Sequence, residues 1–316
     1  MQKINFSIII PLHNKAKYVA NSINSVMSQT YSNWELIIIN DGSTDDSLQV
    51  AKNSIKNVER SISQKIKIIS QLNSGVGQAR NNGVNKSKGD YICFLDADDW
   101  WEPSFLEEIA QLITAYPEAG IYGTSYYIVK NGKKNIAPIS LDKNFTKGFI
   151  DYIEVYSRNL CMPLFTGAVC IPGKVFTDMG GFKPHLKLGE DFDLWLRIAL
   201  KYQVAFVNKP LVCYNQDVEL SGRAVGHLYR PEQTEFYYYS EYEAGNSENK
   251  TLKQLLDNKR TYSLFYYFIN LRYRNWAKQE LSKVDWTKQP ISVYRQYYSP
   301  LYMFIKFAKI KLYRLF

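Results

Sequence analysis

The chain has 316 residues, 46% of them hydrophobic and 22% charged, which allows a substantial buried core and argues against wholesale disorder. Its net charge of +9 is uneven: residues 286–316 hold six basic residues (Lys288, Arg295, Lys306, Lys309, Lys311, Arg314) and no acidic one, so residues 1–285 carry only +3, too little for a nucleic-acid-binding face on the main body. The four cysteines (Cys93, Cys161, Cys170, Cys213) form no C-x-x-C pair, no signal peptide follows Met1, and no run reaches the roughly 18 apolar residues of a membrane span, so a cytoplasmic protein with reduced thiols is expected.

In chain order, apolar runs at 6–12, 35–39, 66–70 and 91–95 have the length and near-continuous hydrophobicity of strands covered on both faces. Val19, Ile23, Val26 and Met27 share one face of a helix after the first run. Ser43-Thr44-Asp45-Asp46 reads as a capping box that opens a second helix. Strand and helix alternating in this way predict right-handed crossovers and a parallel sheet, with a ligand crevice beyond the carboxyl ends of the strands.

Each of the four strand ends carries a polar or Gly-rich group: Pro11-Leu12-His13-Asn14, Asn40-Asp41-Gly42-Ser43, Asn73 through Arg80, and Asp96-Ala97-Asp98-Asp99. Turn and capping chemistry explains the second group equally well, and Gly75-Val76-Gly77 is a weak dinucleotide fingerprint because it lacks the third glycine. The acidic group is more specific. Asp96 and Asp98 sit close together with no base adjacent in the sequence, so a hard, oxygen-liganded cation such as Mg²⁺ or Mn²⁺ is their natural partner, and Asp99 is expected to cap the helix that begins near Pro103.

SIIIPLHN at 7–14, WELIIINDGSTDDS at 34–47, NSGVGQARNNGV at 73–84, GDYICFLDADD at 89–99 and GGFKPHLKLGEDFDLWLRI at 180–198 together resemble the inverting glycosyltransferases of family 2. The resemblance implies an α/β fold of the A type (GT-A), a Rossmann-like, mostly parallel sheet flanked by helices. It also implies an activity: transfer of a sugar from a nucleoside-diphosphate donor, usually a UDP-sugar, to a glycan or lipid-linked acceptor in cell-surface polysaccharide synthesis. On this resemblance Pro11 and Asn14 lie beside the nucleoside, Asp41 bonds the base, and Arg80 reaches the base or diphosphate. Asp96 faces the ribose or sugar, Asp98 ligates the metal in a DXD motif, Asp191 is the general base, and Glu190 and Trp195 shape the acceptor pocket. Without it, Glu190 and Asp191 read as the acidic first turn of a helix, favoured there by its dipole. The chain departs from the family at Tyr214-Asn215-Gln216-Asp217, where many relatives carry Tyr-Arg-x-His; Asp217, Arg223 or His227 is then a candidate replacement.

Residues 1–222 are expected to form the catalytic domain and 223–316 a helical extension. Residues 301–316, drawn as a helix, put Leu301, Phe304, Ile305, Ala308, Leu312, Leu315 and Phe316 within an arc of about 120°, with Lys306, Lys309, Lys311 and Arg314 outside it. Such a helix suits an anionic membrane surface, or else docks on the protein with its lysines solvated. Three other activities compete. A dehydrogenase lacks its glycine fingerprint, a sugar-nucleotide nucleotidyltransferase lacks a Gly-rich loop after the first strand, and a non-catalytic nucleotide-sugar-binding protein has no need of both Asp98 and Asp191.

Overall fold

The computed structural model describes residues 4–219 and 227–313, and side chains as far as residue 309. The chain forms two compact units, Met1–Tyr237 and Tyr238–Phe316.

The first unit is built on one mixed sheet. Its strands are β1 (Phe6–Leu12), β2 (Trp34–Asp41), β3 (Ile66–Gln71), β4 (Tyr91–Phe94), β5 (Trp100–Trp101), β6 (Ile121–Lys130), β7 (Lys133–Ile136), β8 (Lys147–Ile150), β9 (Val169–Pro172) and β10 (Val204–Asn215). The order is β3-β2-β1-β4-β9-β6-β10-β5, with β7 on β6 and β8 on β10. As expected, β1 to β4 are parallel. β9 runs antiparallel to both β4 and β6, whereas β10 is parallel to β6. Hence β6 and β10 point their carboxyl ends to the same edge as β1 to β4, and β9 starts there. All seven residues of β1 are buried. Pro11 is accommodated there because β4 has already ended on that side, its last partner being Ile9, so the missing N–H leaves no ladder position empty.

The helices of this unit are α1 (Val19–Met27), α2 (Ser47–Lys56), α3 (Arg60–Ser63), α4 (Val76–Val84), α5 (Phe105–Ala115), α6 (Tyr152–Asn159), α7 (Gly173–Asp178) and α8 (Glu190–Ala199). α1 buries Val19, Ile23 and Val26, with Ser22 between them. The expected capping box does not form: α2 starts at Ser47, and Asp45 instead accepts hydrogen bonds from the Ser47 N–H and from the Ala16 N–H of the neighbouring loop. α4 packs on β1 and β2 through Gly83, where a Cβ would meet Ile9 Cγ2 at 2.3 Å.

The second unit comprises α9 (Tyr239–Gly245), α10 (Lys250–Ser263), α11 (Phe265–Ile269), α12 (Arg274–Ser282), α13 (Ile291–Tyr298) and α14 (Pro300–Tyr313). Leu252, Leu255, Leu256, Phe265, Ala277, Leu281 and Tyr297 form its core. Arg260, fully buried, is held by Glu243 at 2.8 Å and by Glu280 at 3.1 Å. On α14 the apolar arc is turned outward: Leu301, Phe304 and Ile305 are exposed. Lys306 is turned inward instead, its ammonium 4.4 Å from the Phe265 ring centre and 5.4 Å from that of Tyr297, and burial lowers its pKa to about 8. This corrects the docked alternative, in which the lysines of this helix are solvated. Leu312, Leu315, Phe316, Lys311 and Arg314 have side chains outside the described set. Among the described residues no helix is long and apolar enough to cross a membrane.

Candidate active site

The carboxyl edge of the sheet gathers the expected residues from five separate stretches. Asn14 has φ 51°, which Asn tolerates better than most residues. Its amide donates to Thr44 Oγ1 at 3.2 Å and its Oδ1 accepts from the Thr44 N–H at 2.8 Å, joining the loops after β1 and β2. Asp41, only 3% exposed, anchors the loop after β3. Its Oδ1 accepts from Gln71 Nε2 and the Ser74 N–H, both at 2.8 Å, and its Oδ2 from the Gly75 N–H at 2.9 Å. Oδ2 thus keeps one acceptor position.

The acidic loop after β4 is neutralised, contrary to the expectation drawn from its immediate neighbours. Lys15, from the loop after β1, sits 2.6 Å from Asp98 Oδ2. Arg80 Nη2 lies 2.7 Å from Asp96 Oδ1. Burial raises the pKa of Asp98, Lys15 opposes that rise and Asp96 adds to it. Asp99 does not cap α5. Fully buried, it accepts from the Asn215 N–H at 2.7 Å and so pins the end of β10, while its carbonyl accepts from Ser22 Oγ at 2.6 Å. Burial, Asp98 and Asp96 all push its pKa well up.

Arg80 joins this loop to α8. Its other terminal nitrogen, Nη1, is 2.9 Å from Glu190 Oε1, and the side chain is only 3% exposed. The flanking carboxylates more than offset the burial that disfavours its charge. Both terminal nitrogens of the guanidinium are thus taken by protein carboxylates. Burial and the adjacent Asp191 raise Glu190 to a pKa of about 7, with Arg80 working the other way.

Asp191 is held at both oxygens, Oδ2 by Thr166 Oγ1 at 3.0 Å and Oδ1 by the Phe192 N–H at 2.7 Å. Trp195, expected to line an acceptor pocket, is fully buried edge-on to Phe182 at 5.8 Å, so it supports the α8 turn from behind. Gly189 (φ 76°) opens α8, and a Cβ there would fall 1.7 Å from Glu235 Oε2. Lys15, Ser22, Thr166 and Glu235 were not singled out in the sequence. Of these only Lys15, next to the 7–14 motif, carried a local signal.

Of the three candidate replacements near 217, Asp217 closes the β6–β7 turn by accepting from the Asn131 and Gly132 N–H groups at 2.6 and 2.9 Å. His227 is exposed beside Tyr229, and Arg223 lies outside the described residues. The described residues contain no group of three or more His, Cys, Asp or Glu side chains able to hold a metal alone. Asp98 offers one hard carboxylate, with 18% of its side chain exposed and Oδ2 paired with Lys15, and Mg²⁺ commonly takes one or two carboxylates together with substrate phosphates and water.

The family model described as Glycosyl transferase family 2 matches residues 7–169, just over half of the chain. This chain belongs to glycosyltransferase family 2. A related model, Glycosyl transferase family group 2, matches residues 91–281. Among family relatives, glycosyltransferase GlyA of Streptococcus pneumoniae is 36% identical over 220 residues, covering 66% of this chain and 30% of that protein. Chondroitin synthase of Escherichia coli is 28% identical over 280 residues, covering 87% of this chain and 36% of the synthase. The matched region thus spans about a third of the length of these relatives. In fold, this family 2 chain is similar to residues 1–349 of S. aureus TarS, crystallised in complex with UDP-GlcNAc, with a TM-score of 0.72 at 20% identity over 98% of this chain and 88% of that one.

Proposed function

We propose that this chain transfers a sugar from a UDP-sugar to a glycan or lipid-linked acceptor with inversion at the anomeric carbon. The observation that carries the reading is Arg80, whose two terminal nitrogens tie Asp96 of the acidic loop to Glu190 beside Asp191. A donor site and a base are useful together only when held in one frame. The UDP-GlcNAc bound by TarS and the chondroitin made by the bacterial synthase support a nucleotide-sugar donor and a polysaccharide product.

In this scheme Pro11, Asn14 and the remaining acceptor position of Asp41 receive the nucleoside, and Asp96 the ribose or sugar. Asp98 would hold a divalent cation, Mg²⁺ or Mn²⁺. When bound, that cation supplies Lewis-acid stabilisation of the charge on the leaving group. Asp191 takes the proton from the acceptor hydroxyl. The freed oxygen pair forms the new bond to the anomeric carbon, and the electrons of the broken carbon–oxygen bond leave with UDP. A positioned base of this kind contributes roughly 10²–10⁴-fold. Arg80 acts through Asp96 and Glu190, and Trp195 supports the turn that carries Glu190 and Asp191.

The acceptor is delivered at the cytoplasmic face of an anionic membrane, where the acid-free stretch 286–316 and the exposed apolar side of α14 hold the protein. The test is UDP release from a panel of UDP-sugars with Mn²⁺, followed by NMR of the product made on an added oligosaccharide. Turnover of one donor with an inverted anomer is expected. Turnover of none, or retention of configuration, refutes the reading.

A further inference from the structure

The geometry points to Thr166 as the residue that positions Asp191, an inference that rests on Asp191 being the base. Asp191 has two carboxylate oxygens and one of them, Oδ1, is turned to the N–H of its own neighbour Phe192. That bond is local and travels with the helix start. The bond from Thr166 is different: it comes from a turn 25 residues earlier and fixes the carboxylate from outside its own element.

Thr166 is itself immobilised. It opens the short 3₁₀ turn Thr166–Ala168 ahead of β9 and is 2% exposed. The next residue, Gly167, gives its carbonyl to the indole N–H of Trp101 at 2.7 Å, and a Cβ there would press on Phe165 at 3.0 Å and Val212 at 3.3 Å. Trp101 lies in β5, two residues after Asp99. The turn is thus anchored to the chain segment that leaves the acidic loop, and its hydroxyl is delivered to Asp191.

A hydroxyl donated to one oxygen orients that oxygen and restrains the rotation of the side chain, which matters for a group that must meet an acceptor proton within hydrogen-bond reach. Among the described residues the Thr166 hydroxyl hydrogen-bonds Asp191 and none of the residues assigned to the donor. Its loss therefore acts on turnover and spares donor binding. Thr166→Val keeps the size and the β-branch but removes the hydroxyl; Thr166→Ser keeps the hydroxyl.

The experiment compares wild type, Thr166→Val, Thr166→Ser, Asp191→Asn and the Thr166→Val/Asp191→Asn double variant. Each is assayed by UDP release from the most active UDP-sugar of the panel, with Mn²⁺–UDP affinity by calorimetry and thermal melting as fold controls. Thr166→Val is expected to lower kcat on the order of ten- to a hundred-fold, with KM for the donor and UDP affinity unchanged. Thr166→Ser should recover to within about three-fold of wild type, and Thr166→Val should add nothing to Asp191→Asn, the behaviour of groups acting as a unit. The positioning role is overturned if Asp191→Asn is inactive while Thr166→Val turns over like wild type, or if Ser and Val lose activity equally. It is also overturned if Thr166→Val raises KM and leaves kcat alone. Full activity in Asp191→Asn, or a panel that wild type does not turn over, sinks the assignment of the base itself, and the two failures are thereby told apart.

Discussion

Glu190 gives the site a pH signature at the level of a single side chain. Burial and Asp191 raise its pKa from 4.5 to about 7 despite the Arg80 contact. In the folded state it therefore holds its proton more tightly than in the unfolded chain. The stability this adds is complete below about pH 4.5 and is lost as pH rises from 4.5 towards 7. Asp98 and Asp99, also raised, act in the same direction. Glu190→Gln mimics the neutral acid and should flatten the fall in unfolding free energy across that window, read from urea melts at pH 5 and pH 7.5. An unchanged slope would assign the proton elsewhere.

Among the elements, α4 is the one whose placement the site depends on, since it carries Arg80. It reaches β1 and β2 only because residue 83 has no side chain: a Cβ would lie 2.3 Å from Ile9, a fully buried residue of β1. Gly83→Ala should cost about 1–3 kcal/mol by overpacking, of which the roughly 1 kcal/mol gain in helix propensity offsets only part. Denaturant melts measure the loss, and a stabilised variant would mean that Ile9 yields. The same elements explain what could be read from sequence. β1, β2 and β4 were legible because strands buried on both faces must be continuously apolar, and the edge strand β3, of which only Ile66 is buried, was legible from its Ile-rich run. β5 and β9, with two and four residues, are too short for any period to emerge, and the antiparallel insertion of β9 leaves no local mark. The acidic loop and the α8 turn were legible as clusters. Their partners were not: Thr166 left no mark, and Lys15 only its place beside the 7–14 motif, because a hydrogen bond across 25 or 83 residues has no sequence period. The capping box failed for a related reason: Asp45 found its donor in the neighbouring loop as well as in its own helix.

At the scale of the whole molecule, the uneven charge and the outward apolar side of α14 make membrane attachment testable. Cosedimentation with phosphatidylglycerol vesicles should be strong at low salt and fade as salt rises, since each basic residue near such a surface contributes about 1 kcal/mol and is screened. Removing residues 301–316 should abolish it, and phosphatidylcholine vesicles should bind little. Salt-insensitive binding, or none at low salt, would leave that face for a protein partner. The Arg80 pairings also constrain how this chain can be recombined with relatives. The family 2 match ends at residue 169, yet Glu190 lies after it and shares a nearly buried cation with Asp96, which lies before it. A hybrid spliced between 170 and 189 inherits Arg80 from one parent and its second counter-charge from the other. Where the second parent offers no carboxylate, Arg80 keeps only Asp96 and its nearly buried guanidinium is left with one of its two counter-charges. Exchange of the segment before α8 between relatives is therefore expected to succeed only when the junction falls beyond the α8 turn, or when residues 80, 96 and 190 move as one inherited set.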